Sequence, residues 1–309
     1  VSTGPRWAYL RIAEGCDNHC AYCVIPSIRG RFRSRPIEDI IKEAKNLIKQ
    51  EVKELIVIAQ DTAAYGRDFD GKTHLAELLK KLDSLSGDFL IRLMYLHPAS
   101  MTDELLNTMA KCKHLIPCIE MPLQHISDHV LKSMKRKIGG KETRETVKRV
   151  REKLGFDIRT TFMVGYPGET EEDFEELLEF VKTTKFTRLG VFTYSREEGV
   201  PAADMTPIVH IQTANARMRK LMRAQAEISL AANQSLLGNV VDVILDKIQA
   251  RGKAIGRLFR DAPDIDNVVL LKGLKKGKYK SGDCVKAFVT QASEYELSAV
   301  LFTDTEIGK

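Results

Sequence analysis

Short apolar runs recur along the first two thirds of the chain, at 8–12, 55–59, 89–96, 116–123, 158–164 and 189–194. In several of them successive residues are apolar, as in Leu55-Ile56-Val57-Ile58-Ala59. That pattern predicts strands buried on both faces of a parallel sheet. Between the runs the period changes. Ile37, Ile40, Ile41, Ala44, Leu47 and Ile48 share one helical face behind Ser34 and Pro36, a favourable helix start. Thr170-Glu171-Glu172-Asp173 is a capping box ahead of a second stripe, Phe174, Leu177, Leu178 and Val181. Further helices are predicted over 75–85, 103–111, 128–136 and 141–154. A long polar helix over 209–237 ends at Gly238, and its Arg217, Arg219, Lys220 and Arg223 read as a solvated face.

Six strand–helix repeats predict a parallel α/β fold, either a barrel or a doubly wound sheet. In both, chemistry gathers at the carboxyl ends of the strands. The remainder changes character. Val241, Val243 and Leu245 alternate with Asp242 and Asp246, and short strands follow at 254–259, 268–271, 285–289 and 297–301. Arg251-Gly252 and Ser281-Gly282-Asp283 mark turns between them. A small all-β, OB-like barrel is expected. The division is residues 1–233 and 234–309.

The candidate chemistry lies directly after the first strand, in Glu14-Gly15-Cys16-Asp17-Asn18-His19-Cys20-Ala21-Tyr22-Cys23. Three cysteines spaced C-x3-C-x2-C supply three thiolates, whereas common iron–sulfur frameworks use four. A cluster held this way keeps one iron open, and an open coordination position distinguishes a reactive metal site from a structural one. Gly15 helps the loop turn tightly. The competing reading is a zinc knuckle completed by His19, although zinc ligands usually come as two separated pairs.

Composition narrows the setting. Six cysteines among 309 residues, with no secretory signal, suit a reducing, cytoplasmic compartment. Cys112, Cys118 and Cys284 stand among apolar neighbours and read as small buried hydrophobes. No run approaches the roughly 18 apolar residues of a membrane helix. A net charge of +6 permits an acidic partner without requiring nucleic acid. From Gln234 onward 12 basic residues meet 10 acidic ones, so the small barrel is close to neutral. Its run Lys272, Lys275, Lys276, Lys278 and Lys280 could touch phosphate or acidic protein, or simply solubilise an edge. The chain opens Val1-Ser2-Thr3-Gly4-Pro5 without a methionine, which suggests a fragment cut at a domain boundary.

The cysteine triplet on strand one of an α/β repeat resembles the radical S-adenosylmethionine superfamily. Within it, six longer segments resemble the methylthiotransferases: Glu14-Gly15-Cys16 onward, Ile25-Pro26-Ser27-Ile28-Arg29-Gly30, Ser34-Arg35-Pro36, Ala59-Gln60-Asp61-Thr62-Ala63-Ala64-Tyr65-Gly66, Met121-Pro122-Leu123-Gln124-His125 and Val164-Gly165-Tyr166-Pro167-Gly168-Glu169-Thr170. The resemblance implies a partial (β/α)6 TIM-like barrel followed by a TRAM barrel. It implies one [4Fe-4S] cluster on Cys16, Cys20 and Cys23, whose open iron chelates S-adenosylmethionine and yields a 5′-deoxyadenosyl radical. Two branches are possible. One modifies tRNA adenosine; the other replaces a C–H bond by C–SCH3 at the β-carbon of an aspartate in ribosomal protein S-twelve. Gln60-Asp61-Thr62, Leu123-Gln124-His125 and Arg260-Asp261-Ala262-Pro263-Asp264-Ile265-Asp266 resemble the second. The expected partners are therefore ribosomal protein S-twelve and an external electron donor, with neither tRNA nor membrane. A non-catalytic RNA-binding protein with structural zinc is the reading from another class.

The same resemblance assigns roles. Tyr22 packs near the adenine. Gln60 and Asp61 hydrogen-bond the cofactor's ribose or amino group, or cap a helix. Gly165 and Gly168 let backbone approach the adenine, or make a simple turn. Gln124, His125, His97 and Arg196 are candidates for contacts to cofactor or substrate; a satisfied structural histidine is the alternative for His125. Arg29, Arg31, Arg33 and Arg35 would share one face if extended and could steer a carboxylate. Full-length relatives carry an N-terminal domain whose three cysteines hold a second [4Fe-4S] cluster, the sulfur donor. Nothing before Cys16 can do this, so the chain is expected to cleave S-adenosylmethionine without inserting sulfur.

Overall fold

The computed structural model describes residues 6–303. β1 (Trp7–Arg11) leads into a short antiparallel pair, β2 (Ala13–Glu14) and β3 (Arg33–Ser34). β4 (Glu54–Ile58), β5 (Leu90–Leu93), β6 (Leu115–Glu120), β7 (Asp157–Val164) and β8 (Arg188–Thr193) follow, separated by helices. The sheet order is β1-β4-β5-β6-β7-β8, every pair parallel. Each large strand therefore lies beside its neighbour in the chain. A doubly wound sheet would reverse its order at a switch point. The sequential order makes this an open, partial (β/α)6 barrel.

The continuous apolar runs have two destinations. Leu55, Val57, Ile91 and Leu93 face outward into the main core under the helices. Trp7, Ile56 and Met94 form a smaller cluster on the inner face. Ile37–Lys49 is helical and buries Ile37, Ile40 and Ala44. The capping box is formed: the Asp173 amide donates to Thr170 Oγ1 at 3.1 Å, and the Thr170 amide donates to Asp173 Oδ2 at 2.9 Å. Such caps stabilise a helix by about 1 kcal/mol.

The long helix is Ile211–Gln234, stopping short of Gly238. Its Arg217 corrects the solvated-face reading. The side chain is buried, paired with Glu169 at 3.2 Å and Glu171 at 2.9 Å, over the Phe174 ring. Arg219, Lys220 and Arg223 are exposed as expected.

β9 (Val240–Ile248), β10 (Ala254–Arg257), β11 (Val268–Lys272), β12 (Cys284–Ala292) and β13 (Glu296–Leu301) close into a barrel of order β10-β11-β13-β12-β9. On β12 the alternation sends Val285, Ala287 and Val289 inward. Cys284 sits on that strand with its side chain exposed, which corrects its assignment as a buried hydrophobe. Cys118 is buried and its thiol points to the Arg260 carbonyl at 3.4 Å; Cys112 is half-buried at the edge of the main core.

The two barrels join through buried charge. Glu54, the first residue of β4, receives Arg92 of β5 at 2.6 Å and Arg257 of β10 at 2.5 Å. Arg188, the first residue of β8, pairs with Asp261 at 2.5 Å. Arg92 also donates to the Phe259 carbonyl at 3.0 Å. The segment 258–267, between β10 and β11, is thereby seated in the amino-terminal end of the partial barrel.

Candidate functional site

The cysteine loop leaves the carboxyl end of β1 and is fixed on several sides. Gly15 has φ +75°, and a Cβ there would come within 2.1 Å of the Arg31 carbonyl oxygen. This close approach lets the Cys16 amide donate to the Gly30 carbonyl at 3.2 Å. Further on, the Ala21 amide donates to the Met134 carbonyl at 3.0 Å, and the Ala21 carbonyl accepts from Ala202 at 2.8 Å. The β2–β3 pair holds the return of the loop. Arg29 ends the helix Ile25–Arg29, and Gly30 turns the chain before β3. The arginines at 29, 31, 33 and 35 therefore do not run as one extended face, and Arg35 is spent on Glu43 at 2.7 Å.

Cys16, Cys20 and Cys23 line one cavity of about 440 Å³ inside the carboxyl end of the barrel. Tyr22, Gln60, His97, Gln124, Glu120, Arg136 and Arg159 share its wall. The Asn18 amide points at Cys16 Sγ at 3.4 Å, and Arg136 Nη1 at Cys20 Sγ at 3.7 Å. Burial raises the pKa of Cys16 and Cys23, so the bare thiols hold their protons. A metal replaces those protons on binding. Among the described residues, no group of three or more His, Cys, Asp or Glu gathers closely enough for a single metal ion. Three thiols on one cavity wall, the only cysteines among its described lining residues, suit a cluster that keeps one iron open. The donor set fits the [4Fe-4S] group.

The expected ligand residues divide. Tyr22 meets Tyr166 edge-on, with ring centroids 6.4 Å apart, and burial pushes its phenol pKa up. Gln60 reaches the cavity. Asp61 instead faces an adjoining recess behind the cysteine loop. Its Oδ2 accepts from Asn18 Nδ2 at 2.8 Å while Oδ1 is buried without a partner. Burial raises its pKa, opposed by Asn18 and Arg67.

His97 is buried in the cavity wall, and its Nδ1 accepts from the Ala99 amide at 3.2 Å. Burial, aided by Arg136, drives its pKa down to about 2, so the ring is neutral. With Nδ1 accepting, the proton sits on Nε2. Gln124 has φ +71° and Tyr95 φ +61°. Both line the cavity, beyond the ends of adjacent strands β6 and β5. A bulky residue in this conformation is strained, and such strain persists where the surroundings over-determine it.

Besides Asp61, four candidates stand outside the cavity wall. His125 is fully buried; its Nδ1 accepts from the Ser127 amide at 3.1 Å and its Nε2 faces Glu169 at 3.4 Å. Gly165 and Gly168, at φ +74° and +84°, shape a turn around that same Glu169, which accepts the Gly165 amide. A Cβ at Gly165 would meet the Ala214 Cβ at 2.4 Å, so this glycine admits the long helix. Arg196 is exposed, 3.8 Å from Asp204, in a separate surface depression. Three, His125, Gly165 and Gly168, thus surround a buried carboxylate, and Arg196 stands apart.

Sequence reasoning missed Asn18, Tyr95, Glu120, Arg136, Arg159, Phe192 and Ile265. Glu120 and Arg159 carried a usable signal. Each is a lone charge inside an apolar strand run, and a charge there requires a partner or a ligand. Ile265 comes from the second barrel and no local pattern marks it.

Comparison with known proteins places this geometry. The Radical SAM superfamily matches residues 10–181 and the TRAM domain residues 237–301. The ribosomal protein uS12 methylthiotransferase RimO of Carboxydothermus hydrogenoformans is 44% identical over 300 residues, 96% of this chain and 68% of that protein. The protein of the same name from Thermoanaerobacter sp. is 46% identical over 297 residues, 96% of this chain and 67% of that protein. Among solved structures, the radical S-adenosylmethionine methyltransferase TsrM from Kitasatospora setae superposes with a TM-score of 0.54 at 17% identity, over 64% of this chain and 38% of TsrM. Methylornithine synthase PylB gives 0.51 at 12% identity, over 72% and 62%. These two likenesses concern the fold alone. The sequence matches, which span more than half of the chain in one case and nearly all of it in the other, show that the chain belongs to the radical SAM superfamily, in the family of the uS12 methylthiotransferases RimO.

Proposed function

We propose that this chain contributes the cofactor-binding and hydrogen-abstracting part of a methylthiotransferase acting on an aspartate of ribosomal protein uS12, the S-twelve protein. The observation that carries this is the meeting of Cys16, Cys20 and Cys23 with Tyr22, Gln60 and Gln124 on one cavity at the carboxyl ends of the strands. The relatives' names supply the substrate. The β C–H bond of an aspartate is too weakly acidic for a general base, so the cofactor must carry that step. A [4Fe-4S] cluster with S-adenosylmethionine supplies one-electron cleavage of the sulfonium.

The chain's own residues hold, orient and exclude. Cys16, Cys20 and Cys23 hold the cluster. Arg136, already beside Cys20, is placed to receive the cofactor's carboxylate. Gln60 offers hydrogen bonds to its polar end, and Tyr22 an aromatic wall for the adenine. Neutral His97 presents an Nε2–H donor without adding charge. Met94, Leu96, Tyr95 and Phe192 give the cavity apolar surface that keeps water from reactive species.

Two units share the work, divided at 233/234: the core binds the cofactor and the TRAM barrel helps present the protein substrate. We place the sulfur donor in a second [4Fe-4S] cluster outside the described residues, and the electron in an external donor. The location is the cytoplasm. No helix among the described residues is long and apolar enough to cross a membrane.

Anaerobic reconstitution followed by reductive incubation with S-adenosylmethionine, and either uS12 or tRNA, tests the reading. Release of 5′-deoxyadenosine that uS12 stimulates and tRNA does not is the expected result. Release that tRNA stimulates and uS12 does not would overturn it in favour of the tRNA branch.

A further inference from the structure

The cavity wall carries two guanidinium groups, and they serve different places. Arg136 lies beside Cys20, on the side of the cavity where the cysteines would hold the cluster, and is the guanidinium assigned above to the cofactor's carboxylate. Arg159 is the third residue of β7, opposite Glu120 in the sheet register and deeper in the barrel. S-adenosylmethionine has one carboxylate. A second lining guanidinium, away from the cluster, points to a second anionic group in the same cavity.

The way Arg159 is held supports this. Asp266, from the segment between β10 and β11, accepts from Arg159 Nε with both oxygens at 3.0 Å. Glu120 Oε1 lies 3.1 Å from Nη1. Neither carboxylate engages Nη2, and the side chain keeps 19% exposure on the cavity side. Held at Nε by Asp266 and at Nη1 by Glu120, the guanidinium presents Nη2 in a fixed orientation, available for end-on recognition of a carboxylate. Glu120 Oε2 is buried without a partner, an acceptor that a donor of the bound segment, such as a backbone amide, would satisfy. Ile265, next to Asp266, also lines the cavity, so the second barrel helps build the site.

Resting on the functional reading above, we infer that Arg159 binds the side-chain carboxylate of the substrate aspartate, and that Asp266 of the C-terminal barrel is the positioning residue that aims it. Fixing that carboxylate fixes the adjacent β-carbon, the atom whose hydrogen is removed. Specificity for aspartate then arises partly from the TRAM barrel's own loop. Glu120 bears one of the two negative charges beside Arg159, and burial raises its pKa, which favours its neutral form when a third carboxylate arrives.

The test uses the whole chain and two readouts that need no turnover. Binding of a fluorescent uS12 peptide carrying the target aspartate is compared with the same peptide carrying asparagine. Binding of S-adenosylmethionine to the reconstituted protein is measured by equilibrium dialysis. Wild type is expected to prefer the aspartate peptide by about tenfold or more. Arg159→Gln and Arg159→Lys should erase the preference; the lysine variant keeps a cation between the two carboxylates and so protects the fold. Asp266→Asn should reduce the preference and Asp266→Glu restore part of it, with S-adenosylmethionine binding unchanged throughout. A preference intact in both Arg159 variants overturns the assignment. Loss of S-adenosylmethionine binding with the preference retained overturns it too, giving Arg159 to the cofactor. Binding of uS12 without any preference overturns this inference alone, whereas uS12 failing to bind wild type overturns the functional reading itself.

Discussion

Arg257 of the C-terminal barrel donates to Glu54 of the core at 2.5 Å, and their side chains are only 3% and 2% exposed. Arg92 closes on the same carboxylate at 2.6 Å, so one buried anion is shared by a cation from each barrel. Removing one member leaves buried charge uncompensated, which costs about 3–5 kcal/mol. Glu54→Gln and Arg257→Met should each lower stability to chemical denaturation by that order. A loss below about 1 kcal/mol would show that the junction is solvated in solution.

The same pair sets an acid limit. Burial alone would push the Glu54 pKa up, but Arg92 and Arg257 outweigh it and hold the carboxyl below its ordinary value. A carboxylate with a lowered folded pKa contributes fully above its unfolded pKa, about 4.3, and loses that contribution as pH falls through the folded value. Denaturation midpoints of wild type should fall below about pH 4.3 more steeply than those of Glu54→Gln. Parallel curves for the two proteins would refute the coupling.

Gly15 offers a test of the cluster loop that leaves the thiols untouched. Its φ of +75° and the 2.1 Å approach of a Cβ to the Arg31 carbonyl make Gly15→Ala doubly unfavourable. Anaerobic reconstitution of this variant should bind far less iron than wild type. Wild-type iron content in Gly15→Ala would mean that the loop tolerates rearrangement.

The cysteines divide by position. Alanine at Cys16, Cys20 or Cys23 should abolish the brown chromophore and the bound iron. Cys284→Ser, on the exposed face of β12, should leave both unchanged. Iron quantitation and visible absorbance decide, and a chromophore surviving in Cys20→Ala would remove that residue from the ligand set.

His97 should not titrate across neutral pH. Burial drives its pKa down to about 2, and its Nδ1 accepts from a backbone amide, leaving the proton on Nε2. Because only the unfolded state takes up this proton below about pH 6.5, stability should fall as pH decreases from there, by up to about 1.4 kcal/mol per unit. Histidine ring NMR between pH 5 and 8 should show an Nε2–H tautomer with constant shifts. A midpoint near 6.5 would place the ring in water.

All six core strands and the five of the small barrel were legible in the sequence, because a strand's burial is written into its period. Leu55-Ile56-Val57-Ile58-Ala59 needs apolar contacts on two faces whatever the topology. The thiol triplet was legible for a related reason: its three thiols lie within one short loop, so spacing alone brings them to one cavity. Tertiary structure decided what depends on contacts distant along the chain. Strand order selected the partial barrel over the doubly wound sheet, since hydrogen-bonded neighbours leave no trace in local periodicity. Arg217, read as a solvated charge, is buried against Glu169 because another helix packs there. His125, adjacent to cavity-lining Gln124, turns away to that same Glu169. Arg159 and Asp266, 107 residues apart, became one element of the site only when the second barrel's loop was seated in the first. A short loop can bring three thiols together by itself, whereas the shape and charge of the surrounding cavity are set by side chains that meet only after the two barrels have packed.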